Sequence, residues 1–220
     1  MRNPVFANGE IYHVYNRSIE QKPVFTDKKE CLRATITLDY YRFQSLSFKL
    51  SKALILNLDE RKNYFSNLKN HKKIVEILAY CLMPNHFHFL IKQESKNGIK
   101  KYISDFSNSY VRYFNTKRER TGPLFQGAFK AIRIESDEQL IHVSRYIHLN
   151  PATSFLIKEN ELDSYPWTSL PEYLGITESF ICNKEPVLNL FPSIKAYRKF
   201  VHDQISYARE LDSIKHLTLE

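Results

Sequence analysis

Three cysteines in 220 residues, Cys31, Cys81 and Cys182, stand far apart, with no Cys-x-x-Cys pair and no even-numbered framework. That count argues against a disulfide-stapled scaffold and suits a reducing compartment. Glycine is scarce, five in all. Low-complexity sequence and glycine-rich phosphate loops are thereby excluded, and neither GxxxxGK(S/T) nor GxGxxG occurs. No apolar run approaches the ~18 residues of a membrane span, and Met1 to Asn8 carries no apolar signal core. The expectation is a soluble, cytoplasmic protein with no membrane partner. Acidic residues are the minority: 24 Asp and Glu against 32 Lys and Arg leave a net charge of +8 and a pI near 9.2. Such a surface attracts polyanions. Aromatic residues are plentiful, with 15 Phe, 14 Tyr and one Trp. Basic and aromatic residues together suit single-stranded nucleic acid, where Lys and Arg track phosphate and rings stack on bases. With 43% hydrophobic and 25% charged residues, the chain can bury a core and is not of disordered composition.

No internal repeat is present. Residues 11–19 (IYHVYNRSI) are β-rich and predict a first strand. Thr26-Asp27 offers a helix start, and the spacing of Cys31, Ala34, Leu38 and Tyr41 predicts a helix within 27–49. Residues 50–73 are polar and rich in Lys and Asn, a loop or short helix. Residues 74–82 and 86–92, broken by Met83-Pro84-Asn85, predict an antiparallel hairpin. Residues 98–118 give the clearest helix, with Ile99, Tyr102, Ile103, Phe106, Tyr110, Tyr113 and Phe114 on one face. Residues 125–134 predict a strand with a bulge at Gly127. Ser136-x-x-Gln139 opens a further helix that Asn150-Pro151 should end. Residues 152–175 read as irregular, and 193–211 as an amphipathic helix carrying Ile194, Tyr197, Val201, Ile205 and Ala208. The order implies an α+β fold, an antiparallel sheet with helices mainly on one face. A domain of residues 1–175 is expected to be followed by a C-terminal helical extension, 176–220.

Two constellations carry chemistry. In His86-Phe87-His88 on a strand, the imidazoles share one face while Phe87 points into the core. Two neighbouring imidazoles are suited to a divalent metal, or equally to a solvated strand face. On the helix from Ser136, Leu140, Val143 and Ile147 form an apolar stripe. His142, Tyr146 and Asn150 line up at i, i+4 and i+8 beside it. That edge is either functional or merely solvated.

The segment Cys81-Leu82-Met83-Pro84-Asn85-His86-Phe87-His88-Phe89-Leu90-Ile91 resembles the MPNHxHxLI signature of single-tyrosine HUH transposases of the IS200-like type, most of all the branch with the REP-associated tyrosine transposases. Further blocks match in order. Tyr12-His13-Val14-Tyr15-Asn16-Arg17 resembles the family's opening strand, and Gly122-Pro123-Leu124-Phe125-Gln126-Gly127 its GxxFQG segment. Tyr146-Ile147-His148-Leu149-Asn150-Pro151 resembles its YIHLNP block, and Tyr165-Pro166-Trp167-Thr168-Ser169 its YPWSS block. The resemblance spans about residues 8–175. A departure is Ala128, where many relatives carry Arg.

The resemblance implies a ferredoxin-like or RRM-like sheet, with His86, His88 and Asn150 as metal ligands and Tyr146 as nucleophile. It also implies Mg²⁺ or Mn²⁺ as cofactor, although this donor set would accept Zn²⁺ too. The implied reaction is cleavage and rejoining of single-stranded DNA with hairpin or palindromic ends through a 5′-phosphotyrosine. A phenol of ordinary pKa, about 10, must lose its proton during such an attack. Tyr110 and Tyr113 compete as nucleophiles, with Tyr110 reading as core, and His142 has no implied role. Lys117, Arg118, Arg120, Lys130 and Arg133 are expected along the DNA backbone, and a homodimer is left open. Two rival readings stand beside this one: a non-catalytic nucleic-acid-binding protein of the same fold, and a hydrolytic HxH phosphodiesterase.

Overall fold

Along Ile11–Arg17 (β1) Tyr12, Val14 and Asn16 are buried on one face, while Ile11, Tyr15 and Arg17 on the other are at least partly open. Period-two burial of this kind is what a strand with two unlike faces requires. In a computed structural model of the protein, which describes residues 4–178 and 181–205, β1 lies inside a four-stranded antiparallel sheet. Its partners are Val75–Met83 (β2), His86–Gln93 (β3) and Lys130–Arg133 (β4), in the order β2-β3-β1-β4. β2 and β3 form the expected hairpin, with an irregularity between Ile77 and Ala79. Direct pairing sets Cys81, His88, Tyr15 and Lys130 in one row across the sheet. Directly paired residues share a face, so this row belongs to the face that bears His86.

The α+β reading stands, with helices on both faces. Helix α1 (Lys28–Tyr40) packs on the helix Gly98–Lys117, which covers the face that carries Phe87 and Phe89. The expected helix over 27–49 ends at Tyr40, and the chain turns at Ser45, where φ is +57°. The polar stretch that follows forms two helices, α2 (Leu50–Ala53) and α3 (Leu58–Leu68). Helix α4 (Gly98–Lys117) buries Tyr102, Phe106 and Tyr110 completely. Phe106 meets the Phe87 and Phe89 rings edge-on at 5.3 and 5.2 Å. Gly98 admits no side chain: a Cβ there would lie 2.2 Å from the Ile74 carbonyl oxygen. That oxygen already accepts the Glu94 and Ser95 amides, at 3.0 and 3.2 Å.

Helix α5 (Asp137–Thr153) crosses β2 and β3 on the opposite face. Ser136 caps it, accepting the Gln139 amide at 3.1 Å. It does not stop at Asn150. The turn beyond Pro151 is held from outside the proline: Ser154 donates to the Asn150 carbonyl, and Leu156 and Ile157 both donate to the carbonyl of Pro151. A proline removes only its own N–H and crowds the preceding turn, so a helix whose next carbonyls find donors can pass it. The expected strand over 125–134 shrinks to β4, because Gly127, at φ +42°, leaves the extended region.

After a 3₁₀ turn at Glu159–Ser164, Thr168 pairs with Cys81 at the outer edge of β2. Helices α6 (Leu170–Tyr173), α7 (Glu185–Leu188) and α8 (Ile194–His202) follow. The C-terminal extension packs closely on the rest: the Asn183 amide donates to the Ile77 carbonyl at 2.8 Å, and α8 lies against α5. The predicted helix over 193–211 is described as far as His202. Residues 206–211, Ala208 among them, lie outside the described residues. Among the described residues no helix is long and apolar enough to cross a membrane.

Candidate active site

The β2–β3 turn and β3 itself place the two imidazoles. Phe87, fully buried, anchors β3 from the α4 side and turns His86 and His88 to the other face, with their rings 5.0 Å apart. Each ring is also held by its Nδ1. Asn85 Oδ1 lies 2.6 Å from His86 Nδ1, and His13 Nε2, from β1, lies 2.9 Å from His88 Nδ1. Tyr15 stacks beside His88 at 5.7 Å.

Helix α5 brings the phenol. The Tyr146 ring stands edge-on to His88 at 5.4 Å and to His13 at 5.9 Å, and it remains 51% exposed. Its ring is therefore seated on two imidazoles while one side is reachable from solvent. Asn150, one turn on and buried, donates its Nδ2 to the Tyr146 carbonyl at 2.8 Å. That bond fixes the carboxamide and leaves Oδ1 as its remaining acceptor. The other residue of the predicted polar edge, His142, turns elsewhere: its Nδ1 meets Arg145 at 2.7 Å and its ring meets Phe200.

Burial holds the three imidazoles neutral. It lowers His13 to about 4. His86 also falls to about 4, first through burial and then through the charge of Arg17. His88 is held well below its ordinary value by burial, with the charges of His13, His86 and Arg17 adding to it. A neutral imidazole whose Nδ1–H donates to a neighbour offers its Nε2 lone pair to a metal. His86 meets that condition because Asn85 Oδ1 can only accept, and His88 meets it in the tautomer whose Nδ1–H donates to His13 Nε2. Two such nitrogens and an amide oxygen make a neutral donor set that suits a divalent cation and leaves it its full charge. Among the described residues no three His, Cys, Asp or Glu side chains are grouped to hold a metal.

The predicted basic path divides. Lys117 and Arg118 both bind Glu30, which is fully buried, at 2.9 and 2.7 Å. Lys117 also pairs with Asp27, and Arg118 reaches Thr26 Oγ1 at 2.9 Å. Arg120 donates to Asn115 Oδ1 and the Pro123 carbonyl, and Arg133 pairs with Glu10 at 2.9 Å. Lys130 is exposed, in the row with Tyr15 and His88. Of the competing tyrosines, Tyr110 is fully buried and its hydroxyl donates to the Val24 carbonyl.

Two residues at the site escaped the sequence reading, His13 and Arg17, which share a face of β1 with Tyr15. Their signal was the period-two alternation in IYHVYNR. It marks which residues share a face but names no partner strand.

A family model described as IS200-like transposase matches residues 41–150, half of the chain. No curated protein matches. A solved structure described as a REP-associated tyrosine transposase bound to a REP hairpin superimposes with a TM-score of 0.55 at 13% identity, covering 82% of this chain and 88% of that one. A structure described as a putative transposase from Deinococcus radiodurans aligns at 12% identity over 67% of this chain and 95% of that one, with a TM-score of 0.35. At such identities the first of these speaks for the fold.

Proposed function

The chain belongs to the IS200-like transposase family, and from that premise we propose that it cuts and rejoins single-stranded DNA beside a hairpin, with Tyr146 as the nucleophile. The observation that carries this reading is the seating of the Tyr146 ring against His88 and His13, within one chain. A hairpin as the DNA partner is supported by the REP hairpin held by the similar solved structure and by the net charge of +8.

In the proposed step, the Tyr146 oxygen attacks the scissile phosphorus as the phenol proton leaves. The phosphorus–O3′ bond breaks, the O3′ gains a proton, and the 5′ side remains esterified to Tyr146. One phosphodiester replaces another, so a second 3′-hydroxyl can reverse the step and join. The rings of His88 and His13, crossing the Tyr146 ring at 87° and 72°, hold the phenol so that little orientational freedom is left to lose at attack. His86, His88 and Asn150 would hold Mg²⁺ or Mn²⁺, and such an ion supplies charge against the phosphate oxygens. The hydrogen bonds to Asn85 and His13 engage Nδ1 of both rings and leave each Nε2 for such an ion. The bond from Asn150 to the Tyr146 carbonyl ties the third donor to the nucleophile's own turn.

The test is a denaturing gel of protein incubated with 3′-labelled hairpin oligonucleotide and Mn²⁺. The wild-type chain is expected to retain the label covalently, and Tyr146→Phe to lose adduct and cleavage together. Tyr110→Phe and Tyr113→Phe should keep both. An adduct surviving in Tyr146→Phe overturns the choice of nucleophile, cleavage without adduct supports hydrolysis, and binding without cleavage supports a non-catalytic DNA-binding protein.

A further inference from the structure

Arg17 ends β1, and its Cα partner on β3 is His86. Direct antiparallel partners project side chains to the same face, as the neighbouring pair Tyr15 and His88 does with rings 5.7 Å apart. Arg17 therefore rises beside the two histidines, on the face that α5 and Tyr146 also occupy. Its side chain is exposed.

A guanidinium on that face works against a divalent cation on His86 and His88, because like charges repel. The arrangement becomes favourable when an anion joins the two cations. A phosphodiester has the matching shape: its two non-bridging oxygens can face a metal with one and a planar N–H fork with the other. The scissile phosphate must lie within reach of Tyr146, and Tyr146 and Arg17 flank the same histidines from α5 and from β1.

We infer that Arg17 is a further catalytic residue, its guanidinium donating to a non-bridging oxygen of the scissile phosphate and stabilising the charge that grows there during attack. The inference rests on the transesterification reading above. It gives β1 a direct part in the chemistry and separates Arg17 from the cations at the end of α4, which Asp27 and Glu30 already neutralise.

The experiment uses the full chain and a hairpin oligonucleotide bearing the cleavage site. It measures three quantities: adduct formation in a single turnover at saturating DNA, hairpin affinity, and Mn²⁺ affinity by electron paramagnetic resonance. Arg17→Gln should slow adduct formation about 10²–10³-fold, the loss expected for a donor aimed at developing charge. Hairpin affinity should change less than about threefold, since many phosphate contacts share it. Mn²⁺ should bind about two- to fivefold more tightly in the absence of DNA, because a repelling charge is gone. A merely structural Arg17 would not tighten metal binding. Arg17→Lys should recover part of the rate, and ethylguanidinium should restore part of that lost in Arg17→Ala. Wild-type adduct formation by Arg17→Gln, or weakened Mn²⁺ binding, overturns the role given to Arg17 and leaves the Tyr146 chemistry standing. A wild-type chain that forms no adduct overturns both.

Discussion

His13 Nε2 lies 2.9 Å from His88 Nδ1, with the two rings stacked at 5.1 Å and both residues buried. The bond joins residues 75 positions apart, and it decides which nitrogen of His88 is left to face a ligand. His13→Phe keeps a ring of similar size and removes the acceptor. Mn²⁺ affinity should fall about 10–100-fold, the usual cost of losing an outer hydrogen bond to a ligating histidine. The melting temperature should fall by a few degrees, because the buried His88 Nδ1 loses its partner. Titration followed by electron paramagnetic resonance checks the first outcome, and calorimetry the second. Unchanged Mn²⁺ affinity would show that His88 needs no such partner.

The buried Glu30 makes an acid-sensitive element. Burial alone would push its carboxyl up, but bonds from Thr26, Lys117 and Arg118 outweigh that and hold it at about 2. A carboxylate lowered in the folded state contributes stability above its ordinary value near 4.5, and loses that contribution as pH falls toward 2. Glu30→Gln should therefore cost about 1–3 kcal/mol at pH 7, and the gap to wild type should close as the pH approaches 2. Urea unfolding across pH measures it. A gap independent of pH would assign the loss to packing.

Much of this was legible along the chain. The His86-x-His88 strand, the α4 face, and the i, i+4 placing of Tyr146 and Asn150 are local periodicities, which backbone geometry alone dictates. The partner of His13, the acids that take up Lys117 and Arg118, and the face chosen by α5 are settled by pairings between distant segments. No short window of sequence contains those pairings. Lys117 and Arg118 show the difference: their helical positions were readable, but Asp27 and Glu30 lie some ninety residues earlier.

Gly98 tests the packing of the α4 start. Gly98→Ala sets a methyl group against the Ile74 carbonyl, backbone that cannot swing away. A loss of about 1–3 kcal/mol is expected from the forced shift, readable as a lower urea midpoint. Equal stability of Gly98→Ala would show that this loop yields freely.

Tyr197 of α8 reaches α5 between the residues of the site. Its hydroxyl lies 2.7 Å from His148 Nδ1 and 3.2 Å from Ser144 Oγ, while His148 Nε2 meets Ser169 Oγ at 2.8 Å. All four side chains are fully buried. Tyr197→Phe leaves His148 Nδ1 without that partner and should cost about 1–3 kcal/mol. It should also slow adduct formation more than it weakens hairpin binding, since His148 lies two residues from both Tyr146 and Asn150. Parallel stability, binding and single-turnover measurements separate the effects, and an unaltered rate would confine Tyr197 to holding the fold.

The inner position of β1 sets a limit on how this protein can vary. Its two edges are bonded to β3 and β4, so the strand cannot absorb an inserted or deleted codon by sliding outward. One residue inserted within the strand, between Tyr12 and His13, would turn every later side chain of β1 to the opposite face. Val14 and Asn16 would then stand where Tyr15 and Arg17 do, and His13, Tyr15 and Arg17 would all turn away from the histidines in a single event. Variation by length is therefore open to segments such as the α2–α3 stretch, and closed to these seven residues.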